Sequence, residues 1–278
     1  MSLGNGGLIP TGTSDLYSII GHPVTQVQAP GLFNQFFAET GADAVFVALD
    51  LDPDGVRSFF EAMRAAANYR GGFVTVPHKG AASGCMDELT TQARVLGSVN
   101  AVKNDHGRLI GDMTDGPAFL EATRGRGLDV RGRRVAMIGG GHAATAIAHA
   151  CAEQGAAELV MSVRRTERHA ELRQIVESVP EPPQLSFDLE TLDGFDLVIN
   201  GTTVGMAGDP NVPFPVDTMS PSSLIAEVVT QPRVTPWLRA ALDRGCRVQY
   251  GRDMTRAQTQ LVGPWWGLEL PPVDWDAG

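Results

Sequence analysis

The sequence predicts an α/β protein of two domains, and three observations support this prediction. The chain has 278 residues, which is enough for about two domains. Short apolar stretches alternate with helical patterns along much of the chain, as is typical of parallel sheets covered by helices. The glycine-rich stretch GGGHAATA lies between one such apolar stretch and a helical pattern.

Composition limits the classes of partner. The formal net charge is −10, and 43% of residues are hydrophobic. An acidic surface disfavours nucleic acid and anionic membranes as main partners, so we expect a small-molecule substrate instead. The three cysteines include no C-x-x-C pair, so we expect neither a metal site nor disulfides. The first residues, MSLGNGG, do not resemble a secretory signal, and we expect a cytoplasmic protein.

The first 115 residues read as alternating strands and helices. DLYSIIGHPV predicts a first strand over 16–20 that runs into a Gly-Pro turn, and PGLFNQFFAETG predicts a helix that Gly41 ends. AVFVALDL predicts a second strand, and Asp52 and Pro53 predict the start of a second helix as N-cap and first helical residue. SVNAVK and RLIGDM, separated by NDHG, predict a hairpin.

A lysine follows the strand predicted over 73–76 in FVTVPHKG. Pro77 ends that strand. Lys79 follows at the end of a strand that reads as buried, where a charged side chain costs free energy unless it has a partner or a function. Asn100 lies in the next predicted strand and Asp115 follows the one after it, which makes a small polar cluster. A lysine held by an aspartate can exchange the proton of an alkoxide left by hydride transfer. The alternative is a lysine at a helix start that reaches solvent.

The second half opens with a βαβ unit, RRVAMIGGGHAATAIAHACAEQGAAELVMSV. Gly139, Gly141 and Ala144 match G-x-G-x-x-A between its first strand and its helix. Glycines there allow backbone N–H groups to approach a pyrophosphate at the helix N-terminus, as in Rossmann domains. The alternative is a tight turn without a ligand. FDLVIN, SLIAEVV and CRVQY predict further strands, and the tail predicts a final helix.

The end of the next strand indicates which cofactor binds. NAD sites usually carry an acidic residue there, which binds the ribose 2′-hydroxyl. Here the sequence is MSVRRTER, in which Ser162 is followed by Arg164, Arg165 and Arg168. Because guanidinium groups pair with phosphate, we expect NADP as the cofactor. The alternative is a solvated basic patch.

The chain resembles the shikimate dehydrogenases and their quinate-oxidising relatives. Their motifs G-x-N-V-T-x-P-x-K, V-N-x-V and G-x-N-T-D-G appear here as GGFVTVPHK, SVNAV and GDMTDG. The cofactor loop I-N-x-T-x-x-G-M appears as INGTTVGM, and N-R-T appears as RRT, keeping Arg165 and Thr166. GRDMTRAQ keeps the late Met and Gln of the family. The resemblance runs from about residue 19 to 267.

The resemblance implies roles for individual residues. Lys79 and Asp115 fall on the catalytic pair, and Thr75, Asn100 and Gln258 fall on substrate contacts. The residues expected to bind the cofactor are those of the glycine turn, the arginine segment, the cofactor loop and the start of the last helix: Gly139, Gly140, Gly141, His142, Ala143, Ser162, Arg164, Arg165, Arg168, Thr202, Val204, Gly251 and Met254.

The departures from the family concern the grip on the substrate. The family binds the substrate carboxylate with the two serines of S-x-S-P, where this chain has Val27 and Ala29. Neither side chain can hydrogen-bond, so Gln26 or Gln28 is the alternative donor, although both fit an ordinary polar loop. Three further family residues, two asparagines and a tyrosine, are replaced by Phe73, Met113 and Thr230.

These features predict a reversible NADP-linked dehydrogenase of a hydroxylated ring carboxylate, with an active site in the cleft between domains. A substrate domain is expected over 1–115, completed by 251–278, and a Rossmann domain over 116–250. Quinate or another polyol carboxylate is the alternative substrate, and a ligand sensor without turnover is the alternative function. The resemblance implies a place in the chorismate pathway of aromatic amino acid biosynthesis. A monomer and a homodimer are both compatible with the sequence.

Overall fold

The structure of the protein is a computed structural model that describes residues 9–273 and residue 275. The chain divides into two compact units. Of the described residues, the first unit comprises 9–113 together with 261–271, and the second comprises 114–260 with 272, 273 and 275. Each unit contains its own six-stranded sheet.

The first unit is built on a mixed sheet in the order β2-β1-β3-β5-β6-β4. The pairs β1–β2, β1–β3 and β4–β6 are parallel, whereas β3–β5 and β5–β6 are antiparallel. Its strands are β1 (Asp15–Gly21), β2 (Ala44–Asp50), β3 (Tyr69–Val74), β4 (Glu88–Leu89), β5 (Ala101–Asp105) and β6 (Arg108–Asp112). Its complete helices are α1 (Ala29–Thr40), α2 (Val56–Ala65), α3 (Lys79–Ser83) and α4 (Thr91–Leu96).

One face of this sheet carries an aromatic core. Tyr17, Phe46 and Phe73 from the strands pack against Phe33 of α1 and against Trp266, with ring centroids 4.9–6.4 Å apart. The indole N–H of Trp266 donates to the Val102 carbonyl at 3.1 Å. Gly71 permits this approach, because a Cβ there would lie 2.7 Å from the indole nitrogen. Residues 261–271 therefore complete the core of the first unit.

Two predictions for the first unit are confirmed and two are wrong in detail. Gly41 ends α1 at φ 70°, and β5 and β6 form the predicted hairpin. The predicted N-cap Asp52 and first residue Pro53 open a 3₁₀ turn, Pro53–Gly55, instead of the α-helix, and α2 begins at Val56. Strand β3 ends at Val74 instead of residue 76, because the His78 N–H closes a turn onto the Thr75 carbonyl at 2.9 Å.

The second unit is built on an all-parallel sheet in the order β12-β11-β10-β7-β8-β9. Strand β7, helix α6 and strand β8 form the predicted βαβ unit. The strands are β7 (Arg134–Ile138), β8 (Glu158–Ser162), β9 (Gln184–Ser186), β10 (Leu197–Asn200), β11 (Leu224–Glu227) and β12 (Arg247–Gln249). The helices are α5 (Asp115–Gly125), α6 (His142–Glu153), α7 (His169–Val176), α8 (Pro236–Asp243) and α9 (Gly251–Trp265).

The sheet of the second unit is apolar on both faces, as expected of a parallel sheet covered by helices. On one face Met137 and Ile199 pack with Phe119 of α5 and Ile147 of α6. On the other face the alternate strand residues, such as Ile225, pack with α8. The predicted fold class, α/β with a parallel, doubly covered second sheet, is confirmed.

Helix α9 differs from the expected domain boundary. The sequence assigned 251–278 to the first domain, but 251–260 belong to the second unit. Met254 and Ala257 lie in the core of the second unit, and Asp253 forms a buried ion pair with Arg126 at 2.8 Å. The first ten residues of the helix are thus fixed by contacts that the strand pattern alone does not show.

The described residues include neither a membrane-spanning helix nor a metal-binding cluster. No helix there is long and apolar enough to cross a membrane. No group of three or more His, Cys, Asp or Glu side chains in the described part of the chain is arranged to hold a metal ion.

Candidate active site

Lys79 is the first residue of α3 and is only 7% exposed. Its carbonyl accepts a hydrogen bond from the Val99 N–H at 2.9 Å, which fixes the start of α3 beside the segment that precedes β5. Asn100 is the next residue of that segment and is also buried. Burying a lysine and an asparagine on the same sheet edge costs free energy unless both groups have polar partners, and both have them.

The backbone around this cluster is firmly held. The Asn100 carbonyl accepts from the Val74 N–H at 2.8 Å, and the Asn100 N–H donates to the Asp112 carbonyl at 2.9 Å. Thr75 is held by its own N–H, which donates to the Ile20 carbonyl at 2.8 Å. The structure therefore places Thr75, Lys79 and Asn100 at the carboxyl end of β3 in the first unit. Asn100 lies just before β5 instead of within it.

The two positions that replace the family serines belong to the aromatic core. Ala29 is 3% exposed at the start of α1, and Val27 packs against the same core residues. Phe73 belongs to this core as well and lies 5.1 Å from Trp266 between ring centroids. We call Val27, Ala29 and Phe73 the apolar wall. It carries no side-chain hydrogen-bond donor.

The two glutamines beside the apolar wall bond within their own loop. The Gln26 amide donates to the Pro23 carbonyl at 3.0 Å, and the Gln28 amide donates to the Gln26 carbonyl at 3.1 Å. A primary amide carries two N–H groups. A role for Gln26 or Gln28 in holding substrate stays a prediction.

Asp115 and Gln258 form a buried pair in the second unit. Asp115 opens α5 and is 1% exposed. The Gln258 amide on α9 donates to Asp115 Oδ1 at 2.7 Å. A carboxylate that accepts from an amide is fixed in orientation and keeps acceptor positions for another hydroxyl or cation.

The glycine turn has the form that a dinucleotide site requires. Gly139 has φ 118°, which favours glycine, and a Cβ there would meet the Gly201 backbone at 3.0 Å. At Gly140 a Cβ would meet Val163 at 2.7 Å, whereas the space beside Gly141 is open to 4 Å. Helix α6 follows, with His142 exposed and Ala143 partly exposed in its first turn. Backbone N–H groups at a helix N-terminus attract anions.

The three arginines after β8 differ in their contacts. Arg168 donates to the Gly140 carbonyl at 2.5 Å and to both carboxylate oxygens of Glu171, so it braces the glycine turn. Arg164 and Arg165 are exposed, and within 9–273 neither guanidinium pairs with a carboxylate. Ser162 ends β8, and its carbonyl accepts from the Gly139 N–H at 2.9 Å. Arg164 and Arg165 are therefore the arginines available to a phosphate.

The predicted cofactor loop, residues 201–206, is organised by Asn200. Asn200 is fully buried at the end of β10. Its Oδ1 accepts from the Thr202 N–H at 3.0 Å and from the Thr202 hydroxyl at 2.6 Å, and its amide donates to the Val204 carbonyl at 3.2 Å. Sequence reasoning named Thr202 and Val204 but not Asn200. An asparagine that ends a buried strand is the signal that could have indicated it.

The start of α9 packs closely on the loop after β11. A Cβ on Gly251 would lie 2.1 Å from the Val229 carbonyl oxygen, so only glycine fits. Met254, one turn later, is buried in the core. Gly251 and Met254 occupy the positions to which the family resemblance assigns cofactor contacts. Their role in cofactor binding stays a prediction.

Comparison with known proteins identifies the family of the chain. The sequence profile described as "Shikimate dehydrogenase substrate binding domain" matches residues 19–102. A relative from Moorella thermoacetica, named shikimate dehydrogenase (NADP(+)), is 34% identical over 269 residues, covering 93% of this chain and 90% of the relative. A relative of the same name from Rubrobacter xylanophilus is 35% identical over 265 residues, covering 93% of each chain. The chain belongs to the shikimate dehydrogenase family. The predicted resemblance is thus confirmed.

Solved structures show that the family fold covers nearly the whole chain. The shikimate 5-dehydrogenase of Thermus thermophilus, solved with NADP(H) and shikimate, has a TM-score of 0.84 at 28% identity. It covers 93% of this chain and 95% of its own. The ligand-free 5-ketofructose reductase of a Gluconobacter strain has a TM-score of 0.82 at 27% identity, with the same two coverages. The shikimate dehydrogenase fold thus occurs in enzymes named for quite different substrates.

Proposed function

We propose that the protein is an NADP-dependent dehydrogenase of the shikimate dehydrogenase type. It would interconvert a ring hydroxyl and a ring ketone, as in shikimate and 3-dehydroshikimate. The observation that carries this proposal is the buried Lys79 at the carboxyl end of β3, beside Asn100. The relatives named shikimate dehydrogenase (NADP(+)) support the cofactor and the reaction.

The chemistry assigns a role to each polar group. NADP, held by the residues of the second unit, would supply the hydride acceptor for the carbon that carries the hydroxyl, and NADPH would supply the hydride in the reverse direction. Lys79 takes the hydroxyl proton during oxidation and returns it during reduction, since an amine can serve as base and its ammonium as acid. Asp115 is oriented by Gln258. It accepts a hydrogen bond from the reacting hydroxyl of the substrate. Thr75 and Asn100 hold the ring.

The residues of the second unit fit NADP. The open space beside Gly141 and the first turn of α6, with His142 and Ala143, would receive the pyrophosphate. Arg164 and Arg165, with Ser162 at the end of β8, would bind the 2′-phosphate. Thr202, Val204, Gly251 and Met254 would contact the rest of the cofactor. Arg168 would act indirectly, by bracing the glycine turn.

The apolar wall favours a second candidate, a dehydrogenase of an uncharged polyol or ketone. A carboxylate buried against Val27, Ala29 and Phe73 would find no side-chain donor there, and an unpaired buried charge is costly. The 5-ketofructose reductase of Gluconobacter has the same fold as this chain, and its name denotes a ketose substrate. Quinate or another polyol carboxylate remains the alternative within the carboxylate class.

The setting of the enzyme follows from the same proposal. A dehydrogenase of this type would act in the cytoplasm, in the chorismate pathway or in a catabolic route for related compounds. We expect the protein to be a monomer or a homodimer.

Initial rates with four substrates test the proposal. Shikimate and quinate are alcohols and are assayed with NADP or NAD, whereas 3-dehydroshikimate and 5-ketofructose are ketones and are assayed with NADPH or NADH. Turnover of shikimate with NADP at high substrate concentration is the expected result. Turnover of the ketose alone would favour the second candidate. Binding of NADPH without turnover of any of the four would favour a ligand sensor over an enzyme.

A further inference from the structure

Glu227 is a buried carboxyl group that the proposed reaction does not use. It ends β11, is 0% exposed, and is the register partner of Asn200 on β10. Its Oε2 accepts a hydrogen bond from the Thr235 hydroxyl at 2.7 Å. Its Oε1 is buried and has no hydrogen-bond partner among the residues described. A buried carboxyl group without a cation needs an explanation.

The environment of Glu227 favours the neutral acid. Burial raises the pKa of Glu227 to about 8, against the opposing effect of the Thr235 hydroxyl and the Asn200 amide. These two side chains act on it from α8 and β10, and both are uncharged. No charged side chain of the described residues contributes to the pKa shift. The carboxyl therefore carries its proton at neutral pH.

Both partners of Glu227 contact the cofactor loop. Asn200 binds Thr202 and Val204 through three side-chain hydrogen bonds. Thr235 packs on Gly205, where an added Cβ would lie 3.2 Å from the Thr235 Cβ. Thr235 also accepts from the Leu238 N–H at 3.2 Å, which caps α8. The carboxyl group thus hydrogen-bonds Thr235 and lies beside Asn200, the two side chains on which residues 201–206 rest.

We propose that Glu227 is a positioning residue that holds Thr235 by a hydrogen bond and supports the neighbouring Asn200, and thereby keeps the cofactor loop in its binding conformation. The link to the cofactor rests on the proposed function. The hold on the loop does not, because every contact involved lies within the protein. The proposal explains why a polar group persists in the core of the second unit, where an apolar residue would be more stable.

Amide hydrogen exchange of the protein without cofactor tests the hold on the loop. In Glu227→Ala we expect the Thr202 and Val204 amides to exchange about tenfold faster, since local opening sets their protection. In Glu227→Gln, which is neutral and of similar shape, we expect exchange within about twofold of the natural protein. Ser223→Ala is the matched control, because Ser223 also makes a buried hydrogen bond beside β11, to the Phe195 carbonyl at 2.6 Å. It should lower the melting temperature and leave loop exchange unchanged.

Calorimetric titration with NADPH then tests the link to the cofactor. We expect the Kd to rise about fivefold or more in Glu227→Ala, a loss of roughly 1 kcal/mol, and to stay near its starting value in Glu227→Gln and Ser223→Ala. If Glu227→Ala does not fold, Thr235→Val and its conservative control Thr235→Ser take its place. The valine should show the faster exchange and weaker binding, and the serine should not.

Three results would overturn the proposal. They are unchanged loop exchange in Glu227→Ala and Thr235→Val, equal damage from Glu227→Gln and Glu227→Ala, and a change in loop exchange in Ser223→Ala of the same size. A natural protein that binds no NADPH would refute the proposed function instead. The exchange measurements, made without cofactor, would still decide whether Glu227 holds the loop.

Discussion

Two regions of the molecule differ in the side chains that they bury: charged groups lie at the carboxyl ends of β3 and β11, and apolar groups lie at the start of α1. After β3 and at the end of β11 the chain buries Lys79 and Glu227, although burying either group opposes folding. At the start of α1 the positions of the two family serines carry Val27, in the preceding loop, and Ala29, the first residue of the helix, which join an aromatic core and stabilise it. Polar groups retained at a cost indicate a function, whereas apolar replacements indicate that a function has been lost or changed. Under the proposed function, Lys79 serves the reaction, and the change at Val27 and Ala29 bears on the recognition of the substrate.

Replacing Lys79 is the most direct way to break this comparison. Lys79→Met keeps the bulk and removes the charge, so we expect kcat to fall by about 10²–10⁴ with a smaller change in KM. Lys103 is the other lysine of the chain, and Lys103→Met serves as the matched control. Steady-state rates are the measurement. Retention of more than about half the activity by Lys79→Met would make Lys79 structural.

The pH dependence of stability tests the other buried polar group. The pKa of Glu227 is about 8 in the folded protein and about 4.5 when the chain is unfolded. The folded state therefore binds the proton of Glu227 more tightly than the unfolded state does. The free energy of unfolding that this tighter binding contributes is complete below pH 4.5 and is lost as the pH rises towards 8. Relative to Glu227→Gln, the natural protein should lose about 1 kcal/mol of stability per pH unit in that window. Urea unfolding of both proteins between pH 5 and pH 8 measures the difference, and parallel curves would contradict the prediction.

Arginines at the end of β8 extend the comparison to the cofactor. Arg165→Ala or Arg164→Ala should reduce kcat/KM with NADP by about tenfold and leave that with NAD unchanged, because only NADP carries the 2′-phosphate. Arg173→Ala is the control, since Arg173 is an exposed arginine paired with Glu177 at 2.7 Å on the next helix. Equal use of NADP and NAD by the natural protein would refute the assignment of these arginines.

Sequence reasoning succeeded where local patterns determine the structure. The glycine turn, the βαβ unit and the arginine segment each lie within about 30 residues. Their alternation of strand and helix was sufficient to predict the fold class. The membership of the family followed from motifs of the same local kind, such as VPHK around Lys79.

Contacts between distant segments could not be predicted from local patterns. The ion pair of Arg126 with Asp253 fixes the first turns of α9 in the second unit, and it joins residues 127 positions apart. Glu227 reads in the sequence as one acid in an apolar strand, and only the fold shows it beside Asn200 and Thr235. Arg168 was grouped with two other arginines, although its partners are Glu171 and the Gly140 carbonyl.

Substitutions in the apolar wall should have the smallest effect on activity, and they test the substrate most directly. Val27→Ser with Ala29→Ser restores two hydroxyl donors, so the KM for shikimate should fall by roughly threefold to tenfold, as one or two hydrogen bonds to a carboxylate would produce. The value of kcat should change little, because contacts remote from the reacting carbon bind the ground and transition states alike. Since Ala29 is buried, the double variant should also lose about 1 kcal/mol of stability, measurable as a lower melting temperature.

Two single variants separate the remaining explanations for the grip on the substrate. If the second N–H of Gln26 or Gln28 already holds the carboxylate, Gln26→Ala or Gln28→Ala should raise the KM for shikimate several-fold, and the serine pair should add little. If instead the natural substrate has no carboxylate, both alanine variants should leave the KM for shikimate high, and the serine pair should worsen the KM for an uncharged ketone. A micromolar KM for shikimate in the natural protein, unaffected by either glutamine, would show that other residues bind the carboxylate and that the apolar wall does not set the specificity.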